Sequence, residues 1–165
     1  MGVRRGFLLG IAAAAGGRAL LHRVLLWQFA RNVASLNAGD YRPLLANYAQ
    51  DAVLHFNDGE HRWAGEHRGK DAIERFLQEF VGAGLQGELK GLWISGPPWA
   101  LTIAARFDDQ ATAADGQPLY ANRVAMVIRT RWGRIVEHED FYEDTSRILA
   151  LERALSERGV QPVAA

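Results

Sequence analysis

Arg106 and Asp108 stand two residues apart in a stretch, 99–108, that reads as a strand, and Asp140 stands in another, 134–142. Side chains alternate across a strand with period two, so Arg106 and Asp108 share one face. Asp140 shares its face with Val136, His138 and Tyr142. Two carboxyl groups bridged by an arginine can hold different protonation states, because the cation favours ionisation of its nearer partner while burial raises the pKa of the other. That separates a base from an acid, the division that general acid–base catalysis needs. The trio is useful only if its faces turn inward. Leu101, Ile103, Ala105 and Phe107 form the opposite, apolar face of the first strand. If that face lines the interior, Arg106 and Asp108 are solvated, and parity alone does not say which side is concave. For Asp140 the alternative is a surface place in the acidic run Glu137 to Asp144; both sides of its strand carry apolar residues, Ile135 and Phe141 against Val136 and Tyr142.

Other chemistry-bearing residues are less grouped. His55, His61 and His67 stand six apart, without the tight spacing of a helix-borne zinc pair, and read as surface or pocket-rim residues; no metal is expected. Trp63, Trp93, Trp99 and Trp132 suit an aromatic pocket, or core and dimer-interface packing equally well. Arg123, Arg129 and Arg131 share one strand face, a solvated sheet surface or a stripe for an anionic ligand. The chain has no cysteine, which removes disulfides, thiol nucleophiles and Cys-ligated zinc. Nineteen basic and nineteen acidic residues cancel, so no electrostatic footprint for nucleic acid is present.

The elements that must position these residues follow from periodicity. Leu21, Leu25, Phe29, Val33 and Leu36 recur at helical spacing over 19–36. Gly39 closes that helix and Asp40 caps a short second one over 41–49. Residues 52–57 read as a strand, paired through the turn Asn57-Asp58-Gly59 with a short extended piece around Trp63. Residues 71–81 carry Ile73, Phe76, Leu77 and Phe80 on one helical face. After Gly82 the helical period is lost, and 86–95, 99–108, 120–131 and 134–142 read as four strands, the last three an antiparallel meander. Asp144-Thr145-Ser146 caps a closing helix with Ile148, Leu151 and Leu155 facing inward. The order predicts an α+β fold, a conical half-barrel of strongly curved antiparallel sheet closed by three N-terminal helices, plus a C-terminal helix. The mouth of such a cone is a natural small-molecule site.

Residues 19–160 are read as one domain and 161–165 as a disordered tail. Residues 1–18 form a basic apolar extension. Gly6 to Gly17 is uncharged but too short to span a bilayer, so no membrane span is expected. No polar spacer separates it from the helix that follows, so the segment reads as an Ala-rich extension of that helix in a cytoplasmic protein; with Arg4 and Arg5 ahead of it, it also resembles a twin-arginine export signal, the alternative.

Several segments together carry a family resemblance: Leu36-Asn37-Ala38-Gly39-Asp40-Tyr41, Tyr48-Ala49-Gln50-Asp51-Ala52-Val53, Gly69-Lys70-Asp71-Ala72-Ile73, and Gly133-Arg134-Ile135-Val136 running into Asp140-Phe141-Tyr142-Glu143-Asp144. From about Val24 to Asp144 the chain resembles the SnoaL-like branch of the nuclear transport factor 2-like superfamily, which contains ketosteroid isomerase and limonene epoxide hydrolase. The resemblance implies an apolar-lined pocket for a hydrophobic small molecule, frequent homodimerisation, and a fold that hosts isomerases, cyclases, hydrolases, dehydratases and non-catalytic binders. Arg106-x-Asp108 followed by Asp140 is similar to the catalytic grouping of limonene epoxide hydrolases. By that similarity Asp140 deprotonates water, Asp108 protonates the epoxide oxygen and Arg106 ties the two together, with no cofactor. The water-orienting Tyr-x-Asn of those enzymes falls on His55-Phe56-Asn57, where Asn57 matches and His55 does not. A ketosteroid-isomerase-like reaction would instead draw its hydroxyl donors from Tyr48, Tyr120 and Tyr142. The expected site is therefore Asp140, Asp108 and Arg106 as catalytic residues, with His55, Asn57, His138, Tyr142 and Trp63 against the substrate. The competing expectation is a small-ligand-binding or dimeric interaction module without turnover.

Overall fold

The computed structural model describes residues 3–113 and 115–163, with side-chain surroundings described from residue 19 onward. The chain divides into two compact units, residues 1–31 and 32–165. The first is the body of helix α1 (Val3–Asn37). On it the Arg31 guanidinium lies 5.5 Å from the centre of the Trp27 ring, an i, i+4 pair along one helix face. The export-type reading of residues 1–18 falls mostly on side chains outside the described residues. Among the described residues no helix is long and apolar enough to cross a membrane.

The second unit opens on the last residues of α1, whose end is closed as expected. Gly39 takes φ 86° and the Asp40 N–H donates back to the Ser35 carbonyl at 2.9 Å. Helix α2 (Arg42–Leu45) is a single turn. The sequence extends it to Ala49, but Tyr48 and Ala49 already belong to strand β1 (Tyr48–Phe56). The Asn47 side chain donates to the Pro43 carbonyl at 2.8 Å while its own carbonyl accepts from Ile135 N–H, so the sheet captures the chain one turn early. Strand β2 (Gly65–Arg68) pairs antiparallel with β1, two residues beyond the expected position; Trp63 sits in the preceding turn, buried. Helix α3 (Lys70–Gly82) follows and buries Ile73, Phe76 and Leu77.

Strands β3 (Leu85–Ser95), β4 (Thr102–Thr112), β5 (Pro118–Arg131) and β6 (Arg134–Tyr142) form an antiparallel meander. Strand β1 then lies parallel to β6, with Leu54 opposite His138, giving the order β2-β1-β6-β5-β4-β3. The sheet is therefore mixed rather than wholly antiparallel. A parallel pair needs a long crossover, and the chain between β1 and β6 supplies it. Helix α4 (Thr145–Glu157) starts where Asp144 accepts from Ser146 N–H at 3.0 Å, and it buries Ile148, Leu151 and Leu155. The fold is α+β, a six-stranded curved open sheet with helices, as the element order predicts.

Burial alternates along the strands and identifies the covered side. On β4 the odd positions Ile103, Ala105, Phe107, Asp109 and Ala111 are buried, while Arg106 and Asp108 are not. Cross-strand register carries that face through Val124 to Tyr142, and through Met126 to Asp140. Helix α3 lies on the same side, its Phe76 ring 5.4 Å from that of Phe56. This helix-covered side is the inner face; the other carries the outward residues of all six strands.

Candidate functional site

Three inner-face residues form a hydrogen-bonded chain. The Tyr48 hydroxyl lies 2.6 Å from His138 Nδ1, and His138 Nε2 lies 3.0 Å from Asp140 Oδ1. Strand pairing places them: β1 runs beside β6, and His138 and Asp140 are two apart on β6, so both point inward. Tyr48 and His138 are buried, and the Asp140 side chain is only 7% exposed. A carboxylate only accepts, so the Nε2 proton points at Asp140 and Nδ1 accepts from Tyr48. Burial, reinforced by the charge of Asp140, pushes the Tyr48 phenol far above its ordinary value, so it stays a donor.

A second carboxyl stands on the same face two strands away. Asp109, buried opposite Asn122, accepts a hydrogen bond from the Tyr142 hydroxyl at 3.0 Å. Burial pushes its pKa up to about 7; the Tyr142 hydrogen bond opposes this and the charges of Asp140 and Asp108 add to it. Tyr142 is raised well above the usual phenol by burial and by Asp109 and Asp140. Tyr120 is raised too, by burial first. Asp109 also lines an open cleft of about 440 Å³ shared with Asp108, Asn122, Arg123, Glu143 and Arg147. The inner face thus offers a carboxyl that keeps its proton close to neutrality, a carboxylate–imidazole–phenol chain, and phenols that remain donors. Such a set can take a proton from one atom of a bound molecule and stabilise negative charge on another.

Of the residues expected from sequence, Asp140, His138 and Tyr142 come together here. Arg106 and Asp108 do not join them, a correction to the expected trio. They pair with each other at 2.9 Å on the outer face, both about two-fifths exposed, with Lys90 also near Asp108. The physical reason is parity: Ile103, Ala105 and Phe107 must be buried under the helices, which turns the even positions outward. On the inner face the same spacing reads Phe107-x-Asp109, a carboxyl without an arginine. His55 is likewise on the outer face, 3.5 Å from Glu66. Asn57 lies beyond the end of β1, its amide 3.2 Å from His61 Nε2, and Trp63 is packed in the interior beneath the Arg62 guanidinium. Asn57 Oδ1, His61 Nδ1 and Trp63 Nε1 are buried without a partner. Trp93, Trp99 and Trp132 are exposed. Asp109 is the site residue that sequence reasoning missed; only its shared parity with Phe107 distinguishes it from Asp108. Among the described residues no group of three or more His, Asp or Glu is arranged to hold a metal.

Comparison with known proteins agrees with this architecture. No curated protein matches the chain. Among solved structures, an NTF2-like protein of unknown function from Burkholderia pseudomallei is 21% identical, with a TM-score of 0.64 over 77% of this chain and 95% of that one. TerC, co-crystallised with polyporic acid, is 16% identical with a TM-score of 0.64 over 78% and 97%. A candidate polyketide cyclase from Sinorhizobium meliloti is 19% identical with a TM-score of 0.51 over 67% and 89%. At these identities the likeness is one of fold. The model of the SnoaL-like domain matches residues 29–138, which span the end of α1 through the first half of β6, and the chain belongs to the SnoaL-like family.

Proposed function

We propose that the protein is an acid–base enzyme acting on a hydrophobic small molecule, with Asp140 as base and Asp109 as acid. The observation that carries this reading is the placement of two buried carboxyl groups on one apolar sheet face, one bonded to His138 and the other to Tyr142. In the reaction class that suits them, a C–H bond beside a carbonyl breaks, its proton passes to Asp140, and the electron pair moves onto the carbonyl oxygen. Asp109 in its protonated form, with the phenols beside it, donates to that oxygen. The step is that of an isomerase or a cyclase. It fits this face better than epoxide opening, because the guanidinium that the hydrolase resemblance requires is on the other side of the sheet. The polyketide cyclase name of one structural neighbour supports the same class.

A second copy of the chain is the proposed partner for the outer face. There Trp93 and Phe141 are 61% and 50% exposed. They flank Ala104, Ala125 and Val127, and Arg106, paired with Asp108, stands among them opposite Ala125. Ion pairs such as Arg123 with Glu143 and Arg129 with Glu137 rim them. Exposed aromatic side chains set among small residues and an arginine, with paired charges at the margin, suit a protein interface.

The test is exchange of α-hydrogens for deuterium in a panel of hydrophobic ketones, followed by NMR. Asp140→Asn lowers exchange by at least about 100-fold while ligand binding is retained. Equal losses of fold stability and ligand affinity, with no exchange by the parent protein, would instead identify a binding module.

A further inference from the structure

Two exposed tryptophans stand together at one end of the sheet. Trp99 follows Gly96-Pro97-Pro98 in the β3–β4 turn, Trp132 occupies the β5–β6 turn, and their ring centres are 6.5 Å apart. Trp132 is 78% exposed and Trp99 is 54% exposed. The two turns are laced into one platform. Trp132 N–H donates to the Trp99 carbonyl at 2.8 Å, Thr130 N–H to the Leu101 carbonyl at 2.9 Å, and Leu101 N–H to Thr130 Oγ1 at 3.1 Å. Gly96, at φ 91°, has no room for a side chain, since a Cβ there would strike the Ala100 carbonyl. Trp132 itself takes φ 51°, the one non-glycine positive φ among the described residues. A bulky residue in that region is strained, and here no burial compensates the strain within the chain. The platform presents two indoles to water, the place that suits them least.

The chemistry around the indoles indicates what covers them. Residues 95–101 read Ser-Gly-Pro-Pro-Trp-Ala-Leu and residues 130–134 Thr-Arg-Trp-Gly-Arg, with no acid in either turn. Arg131 and Arg134 bracket Trp132. Arg131 pairs with the exposed Asp51 at 3.4 Å, and Arg134 donates to the Ala46 carbonyl. An exposed pair of that kind is worth little, so Arg131 exchanges it readily for another anion. Indoles prefer the headgroup level of a bilayer, and flanking arginines favour anionic lipid. A second copy of the chain fits less well, since a twofold contact at this platform would set Arg131 and Arg134 against their own counterparts.

We propose that the paired turns 95–101 and 130–134 form a docking site for an anionic membrane surface, with Trp99 and Trp132 entering the headgroup layer and Arg131 and Arg134 on lipid phosphates. The site is peripheral and independent of the inner face.

The test is co-sedimentation of the full chain with vesicles of phosphatidylcholine alone and of phosphatidylcholine mixed with phosphatidylserine. The parent protein partitions onto the mixed vesicles and is released by salt. The double variant Trp99→Ser, Trp132→Asn, in which asparagine tolerates the left-handed backbone, loses at least about tenfold in partitioning. The variant Arg131→Gln, Arg134→Gln loses the preference for phosphatidylserine. Equal partitioning of parent and tryptophan variant overturns the proposal. So does a change of oligomeric state in that variant with vesicle binding unaltered, which would assign the platform to a second copy.

Discussion

Asp109 lies in the interior with its carboxyl under Tyr142, and its proton is retained up to a pH of about 7. An unfolded aspartate ionises near 4, so between about pH 4 and 7 the folded chain binds the extra proton. The contribution of Asp109 to stability therefore falls as pH rises through that window, by about 4 kcal/mol in all. Asp109→Asn removes the ionisation and keeps an acceptor for Tyr142. Urea unfolding of that variant is expected to lose this pH dependence and to show a protein more stable than the parent above pH 7 by a few kcal/mol. A parent-like slope in the variant would mean that another group titrates. At this scale sequence grouped His138 and Tyr142 with Asp140, because residues two apart share a face whichever face is covered. It was uninformative for Asp108 against Asp109, adjacent carboxyls that differ only in which side of the sheet each faces.

Elements are locked to one another by a buried ion network at Arg62, whose side chain is 3% exposed. It donates to Glu152 of α4 at 2.9 and 3.0 Å, to Glu79 of α3 at 3.4 Å, and to the Val160 carbonyl at 2.9 Å. Val163 N–H also donates to Glu79, so the segment after α4, whose expected disordered tail runs over 161–165, is held as far as the described residues go. Arg62→Met leaves Glu79 buried and uncompensated beside Glu152. A loss of about 3–5 kcal/mol in denaturant unfolding is expected, with part of it restored when Glu79→Gln is added. A change below about 1 kcal/mol would show that the network contributes geometry rather than stability. Helices such as α3 were legible because a 3.6-residue apolar period has few competing explanations, and α4 because its cap precedes the same period. The early end of α2 was not legible, because it depends on Ile135, distant in sequence, taking the Asn47 carbonyl.

For the whole molecule, the outer sheet face is the surface that a second copy would cover. Trp93→Glu combined with Phe141→Arg is expected to convert a dimer to a monomer in sedimentation or light scattering, with the inner-face chemistry retained because those residues point away from Asp109 and Asp140. A parent protein that is itself monomeric at the same concentration would remove that partner.

Periodicity, caps and turn glycines sufficed to identify the α+β class and the order of its elements, since both are written in local spacing and need no knowledge of what lies opposite, while the family came from the resemblance carried by segments such as 36–41 and 69–73. Which face of β4 is covered, and hence that Asp109 rather than Asp108 shares the interior with Asp140, was decided only in three dimensions. Every strand has two faces that are equivalent in its own spacing, and only packing against helices breaks that equivalence.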